Sequence, residues 1–95
     1  MLTHVVLFKL KDNRPETIQK TKDVLMGMEG KIPMLLSIEV GVDVLRSERS
    51  YDIALITKFR SLQDMLAYQE HPVHQEVLRY MNEVRESSIC VDFES

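Results

Sequence analysis

Residues 3–11, THVVLFKLK, are rich in β-branched and aromatic types, which suit a pleated surface. Strand alternation places His4, Val6, Phe8 and Leu10 on one face and Val5, Leu7, Lys9 and Lys11 on the other. The run D-N-R-P-E then opens a helix, with Asp12 or Asn13 as cap and Pro15 in the first turn, where its missing N–H is not needed. Ile18, Val24, Leu25 and Met28 give that helix a loose apolar stripe. Gly27 weakens it, Gly30 is placed as the residue just past its end, and Pro33 is a stop signal. Residues 35–45, LLSIEVGVDVL, alternate as a second strand, with Leu36, Ile38, Val40, Val42 and Val44 on one face. Gly41 inside it suggests a bulge or the close approach of another backbone.

The polar run R-S-E-R-S is the connection to a third strand, residues 51–59, in which Tyr51, Ile53, Leu55, Thr57 and Phe59 share a face. Asp52, Ala54, Ile56 and Lys58 take the other face. Ser61 opens S-L-Q-D, a helix start with Leu62, Met65, Leu66 and Gln69 on one side. Pro72 breaks this helix at His71 and starts another, whose stripe is Val73, Val77, Leu78, Met81 and Val84. The final run SICVDFE is a fourth strand with Ile89, Val91 and Phe93 on one face. The order β-α-β-β-α-β, with a broken second helix, predicts an α+β, ferredoxin-like protomer: a four-stranded antiparallel sheet with its helices on one face. Strands one and three then lie in the centre, and Val5, Leu7, Ala54 and Ile56 form an uncovered apolar patch that a sheet-to-sheet homodimer would bury. Lys9, Lys58, Glu39 and Asp43 would sit at its rim or pair across it.

Ninety-five residues set the scale of one domain. At 44% hydrophobic and 28% charged the composition is that of an ordinary globular protein. A net charge of −3 lacks the basic footprint that nucleic acid requires, and no apolar run reaches the length of a membrane span. The N-terminal run has no basic leader and reads as a strand, so the expected location is cytoplasmic. The single Cys90, flanked by Ile89 and Val91, is placed on the dimer side as a buried thiol with no basic neighbour.

Candidate chemistry is concentrated in Y-Q-E-H-P-V-H, residues 68–74. His74 falls near the third position of the helix that starts at Pro72, on the edge of its apolar face. Burial and the helix N-terminus both favour a neutral imidazole, which can accept a proton as a general base must. Tyr68, across the break, can point its hydroxyl into the same space and stabilise enolate charge. His4 faces the helices by alternation, so three polar groups converge on an apolar space, the layout of a small-ligand pocket. His71 caps the new helix or bonds a loop carbonyl, and stands as a substrate-binding candidate beside His4. In the plainer reading, His74 and His4 are satisfied core histidines, Tyr51 and Tyr80 are edge residues with wet hydroxyls, and the methionines fill the core. His71 and His74 have a spacing that could suit two metal ligands, but Pro72 alters the geometry and no third ligand is fixed, so no metal site is assigned.

The segments T-H-V-V-L-F-K-L-K, Y-D-I-A-L, the spaced motif F-x-S-x6-Y-x-x-H-P-x-H and the terminal V-D-F-E resemble the Dabb family, the stress-responsive A/B barrel domain of the dimeric α/β barrel proteins. The resemblance covers nearly the whole chain and implies a ferredoxin-like protomer and a homodimer whose sheets close into a barrel. It does not imply one function, since a few plant members are polyketide cyclases that work without cofactor or metal and others are stress proteins. By resemblance to the cyclases, Tyr68 and His74 are the catalytic candidates and His4 lines the cavity. A further pocket tyrosine of the plant enzyme aligns with Leu25 here, which departs from the cyclase pattern. Two readings stay open: a cofactor-free cyclase, isomerase or lyase acting on a small carbonyl compound, and a non-catalytic structural or ligand-binding stress protein. A monooxygenase ranks below both, because the chain has no Trp and no recognisable haem or flavin motif.

Overall fold

The computed structural model describes residues 1–95. Its elements run β1 (Leu2–Leu10), α1 (Pro15–Met26), β2 (Ser37–Val42), β3 (Ile53–Phe59), α2 (Leu62–Glu70), α3 (Pro72–Val84) and β4 (Arg85–Glu94). The strands pair antiparallel in the order β2-β3-β1-β4, which puts β1 and β3 in the centre. This is the ferredoxin-like α+β fold that the order of elements predicts. Phe8, Leu10, Val40 and Leu55 on the sheet join Ile18, Leu25, Met65, Tyr68 and Met81 on the helices in one buried cluster. The opposite face of the sheet has no layer above it, and Ile89, Val91 and Phe93 of β4 stand exposed there.

Local chemistry explains where the elements depart from the sequence pattern. The N-cap of α1 is Arg14, which makes no side-chain cap bond. Asp12 acts from two residues outside, accepting from the Arg14 backbone N–H and from the Thr17 hydroxyl. The helix ends at Met26 with Gly27 as C-cap, and Gly30 takes a left-handed φ of 77° in the turns beyond. Gly30 therefore closes the connection and not the helix itself. The second strand is shorter than the alternation of 35–45 suggests. Asp43 Oδ2 accepts from the Arg46 N–H in a tight turn, the chain leaves the sheet, and Val44 and Leu45 are exposed. Gly41 pairs with Ala54 in unbroken register, so it makes no bulge, whereas the β1–β4 register does shift between Lys9 and Leu10.

The helix that opens at Ser61 is capped as the sequence suggests, with Ser61 Oγ accepting from the Asp64 N–H at 3.1 Å. Its buried side is Met65 and Tyr68, however, and Leu62 and Leu66 are exposed. The aromatic ring outweighs the leucines because it fills the space beside Phe59, with ring centroids 4.8 Å apart. The Tyr80 hydroxyl is not free in water, since it lies 3.2 Å from Thr21 Oγ1 and ties α3 to α1. No loop separates α3 from β4, because Arg85 caps the helix and begins the strand. The directly paired residues Val6 and Cys90 share a face, so Cys90 points toward the helices and not toward the outer face, and it is exposed there.

A buried carboxylate closes the end of β1. Asp52 accepts from the Leu10 N–H at 2.7 Å and from Arg46 Nη1 at 3.0 Å, and its own N–H donates to the Phe8 carbonyl at 2.8 Å. These bonds hold β1 to the start of β3 where the β1–β4 register shifts. Replacing Asp52 by Ala strands the Leu10 N–H and the Arg46 guanidinium together. The expected loss is about 2–4 kcal/mol of unfolding free energy, read by urea denaturation. A loss within about 0.5 kcal/mol, the range of an ordinary surface substitution, would contradict this role for Asp52.

Candidate functional site

The proline of H-P-V-H sets the geometry. In an unbroken helix Pro72 would donate to the Tyr68 carbonyl and Val73 to the Gln69 carbonyl. Pro72 has no N–H, and the His71 N–H bonds Tyr68 O instead, at 3.1 Å. The Val73 N–H turns to His71 Nδ1, also at 3.1 Å, so His71 caps α3 with its ring. Gln69 O is left without a helical donor. It accepts from His74 Nδ1 at 3.1 Å and from Gln75 Nε2 at 2.6 Å.

A carbonyl oxygen can only accept, so His74 Nδ1 must carry a proton. In the neutral ring the lone pair then belongs to Nε2, and that atom has no partner within the chain. The ring packs against Tyr68 with centroids 4.5 Å apart and borders a cavity of about 220 Å³ between the helices and the β1–β4 half of the sheet. Burial lowers the His74 pKa below its ordinary 6.5; the bond to Gln69 O opposes this, and the nearby His4 adds to it. Burial therefore keeps His74 neutral, while the bond to Gln69 O keeps it in place.

Tyr68 is buried almost completely, and its hydroxyl donates only to Met28 Sδ, at 3.7 Å. A thioether is a weak acceptor, so this donor can be redirected to a better one at little cost. Burial pushes the phenol well above its ordinary range, which makes Tyr68 a hydrogen-bond donor and not a phenolate. His4 enters from β1, with its Nδ1–H donating to the Asp92 carboxylate across the β1–β4 pair. That bond leaves Nε2 of His4 as the second imidazole nitrogen free of protein partners. Leu25, Met28, Val77, Leu78 and Met81 supply apolar wall.

The structure therefore gathers His4, Tyr68 and His74 around one cavity and leaves His71 out of its lining. His71 and His74 both bond at the α2–α3 junction, each through Nδ1 and to a different backbone group. No group of three His, Cys, Asp or Glu side chains is arranged to hold a metal ion. Asp92 and Gln69 were not among the sequence candidates. Parity could have found Asp92, because Ser88, Cys90 and Asp92 share a face of β4 opposite to Ile89 and Val91. Gln69 acts through its backbone carbonyl, which residue identity does not reveal. A larger cleft, of about 370 Å³, lies at the far end of β1 among Lys9, Lys11, Arg46, Glu48 and Asp52. Its Arg46 is already paired with Asp52 and only one of its lining residues is apolar, so the smaller cavity is the better ligand site.

The family model of the stress-responsive A/B barrel domain matches residues 2–95. No curated protein matches the chain. Among solved structures, a dimeric ferredoxin-like protein of unknown function from Bacteroides fragilis is 33% identical, with a TM-score of 0.85 over 99% of this chain and 95% of that one. A second dimeric ferredoxin-like protein of unknown function, from Thermobifida fusca, is 24% identical, with a TM-score of 0.86 over 99% and 90%. The hydroxynitrile lyase of Passiflora edulis shares the fold at 15% identity, with a TM-score of 0.83 over 97% and 90%. With a family match that spans all but the first residue, the chain belongs to the stress-responsive A/B barrel (Dabb) family.

Proposed function

We propose that this protein is a homodimer that binds a small carbonyl compound between sheet and helices and catalyses a cofactor-free proton transfer on it. His74 is the base and Tyr68 the donor to the developing enolate oxygen. The observation that carries this reading is the His74 ring, fixed through Nδ1 on Gln69 O with Nε2 free, beside a buried phenol whose only partner is a thioether. Proton abstraction next to a carbonyl needs these two groups: an acceptor for the proton and a hydrogen bond for the oxygen that gains charge. Cyclisation, isomerisation and lyase chemistry all contain such a step, and a lyase stands among the proteins of this fold. The Asp92–His4 pair orients a second imidazole on the same cavity, where it can hold the substrate or relay the proton.

Dimerisation follows from the open face of the sheet. Val5 and Leu7 lie at its centre, while Ile89, Val91 and Phe93 are 52%, 57% and 46% exposed. The Bacteroides fragilis and Thermobifida fusca relatives are dimers, and a second copy of this chain is the partner that fits the same face. Replacing Val91 by Glu puts a charge into that patch without disturbing the helix side. The expected result is a monomer of unchanged secondary structure by sedimentation velocity and circular dichroism. A dimer that persists at micromolar concentration would contradict the sheet-to-sheet arrangement.

Proton transfer can be read without knowing the natural substrate. Exchange of the α-protons of ethyl acetoacetate into D₂O, followed by NMR, reports abstraction directly. His74→Gln is expected to lower the protein-dependent rate by about 10²-fold or more, the usual contribution of a positioned base. Tyr68→Phe keeps the ring against Phe59 and is expected to cost about 10²-fold through the lost oxygen donor, with stability almost unchanged. Wild-type rates in either variant would remove the enzymatic reading and leave a binding protein.

The pH dependence has a defined sign. The His74 pKa lies below 6.5 in the folded protein, so the base stays active through neutral pH, and exchange falls only as acid protonates it below that value. The same depressed pKa makes stability fall as pH drops from 6.5 toward the folded-state value and then level off, because only the unfolded chain takes up the proton in that window. The phenol sets no alkaline limb below its ordinary 10.0, since burial has raised it. A rate that declines already between pH 8 and 6.5 would show a base other than His74.

A further inference from the structure

Proton transfer uses only one end of the cavity. The β1–β4 register lays out the rest, with His4 opposite Asp92, Val6 opposite Cys90, Phe8 opposite Ser88 and Leu10 opposite Arg85. Phe8 lies four positions along β1 from His4, about 13 Å of extended chain. On the helix side, His74 sits in the first turn of α3 and Arg85 caps its last, about 16 Å apart along the axis. Arg85 and Ser88 therefore line the end of the cavity remote from His4, Tyr68 and His74. Val6, Val77, Leu78 and Met81 lie among the residues that line it as well.

Arg85 is half-buried, and no acidic side chain lines the cavity with it. The ion pairs of this chain join His4 to Asp92, Arg14 to Asp12, and Arg46 to Asp43 and Asp52, and none includes Arg85. Its side chain makes one hydrogen bond, from Nη1 to Ser88 Oγ at 3.4 Å, which is long for such a bond. A guanidinium partly withdrawn from water onto an apolar wall carries an unfavourable desolvation until an anion supplies its counter-charge. Its flat fork of donors matches a carboxylate, and a hydroxyl beside it can donate a third bond. We propose that Arg85 and Ser88 bind the carboxylate of the ligand, so that the substrate class is an oxo-carboxylate: a carbonyl at the His74 end, an apolar chain along α3, and an anionic end at Arg85. The assignment rests on the cavity being the ligand site, as in the proton-transfer mechanism above, and narrows what that site accepts.

The test compares octanoate with its neutral counterpart octanamide on the purified protein, using calorimetric titration and the NMR signals of the His74 imidazole. Wild type is expected to bind octanoate at least about tenfold more tightly than octanamide, the effect of a charge-assisted bond, and either compound should shift the His74 signals. Arg85→Gln is expected to abolish the preference while octanamide binding stays unchanged, and Arg85→Lys to keep part of it. The variants retain the backbone N–H of residue 85 that donates to Met81 O at the end of α3, and thermal unfolding checks their fold. Equal binding of the two compounds by wild type, or a preference that survives Arg85→Gln, would overturn the carboxylate assignment and leave the cavity as a neutral-ligand site. If neither compound binds or moves His74, the carboxylate assignment falls. The α-proton exchange of ethyl acetoacetate, which carries no carboxylate, then decides separately whether the catalytic reading survives.

Discussion

The candidate site depends on one missing hydrogen. Pro72 cannot donate to the carbonyl four residues back, so the helix that begins at Leu62 must end, and Gln69 O loses the donor that a continuous helix would give it. An orphan carbonyl at a helix end seeks another N–H. Here it finds His74 Nδ1, which fixes the ring at the cavity wall, selects its tautomer and leaves Nε2 without a protein partner. The break and the candidate base are therefore one device. Its neighbours serve the same junction, with His71 capping the new helix through its own ring and Gln75 completing the bonding of Gln69 O.

Electrostatics and packing act together around this junction. The fold places His74 in the first turn of α3 and buries its ring, and both the positive helix end and the burial disfavour an imidazolium. Tyr68 is locked by Phe59 on one side and His74 on the other, so its hydroxyl is positioned while remaining poorly bonded. A well-satisfied phenol would be a better structural residue and a worse oxyanion donor. His4, by contrast, is tied to a carboxylate, so the two imidazoles on one cavity have different partners and different electrostatic settings. At the other end of β1 the buried Asp52 bonds hold the strand that carries His4, Val6 and Phe8 into the cavity.

Much of this was legible in the residues, and the misses have physical causes. Alternation in THVVLFKLK placed His4 and Phe8 on the helix side, and Pro72 announced the break, because both signals are local. On α2, apolar count favours Leu62 and Leu66 as the buried face, while shape complementarity to Phe59 buries Met65 and Tyr68 instead. The second strand looked longer than it is because Val44 continues the alternation after the Asp43 turn has already taken the chain out of the sheet. Reading Cys90 with its apolar neighbours Ile89 and Val91 puts it on the outer face, whereas the parity of its own strand puts it on the helix side. Asp92 shares that parity, and its importance becomes visible only when β1 and β4 are brought into register. The Gln69 carbonyl has no sequence signature at all, because every residue carries one.

The central claim is that the fold presents a neutral His74 with its proton on Nδ1 and its lone pair on Nε2, facing the cavity. Long-range ¹H–¹⁵N correlation NMR of the purified, ¹⁵N-labelled protein at neutral pH distinguishes the three states of a histidine ring. The account predicts a protonated Nδ1 and an unprotonated Nε2 for His74, assigned by loss of the signals in His74→Gln. A ring protonated on Nε2 alone, or on both nitrogens, would contradict it, because the atom facing the cavity would then have no lone pair with which to take a proton.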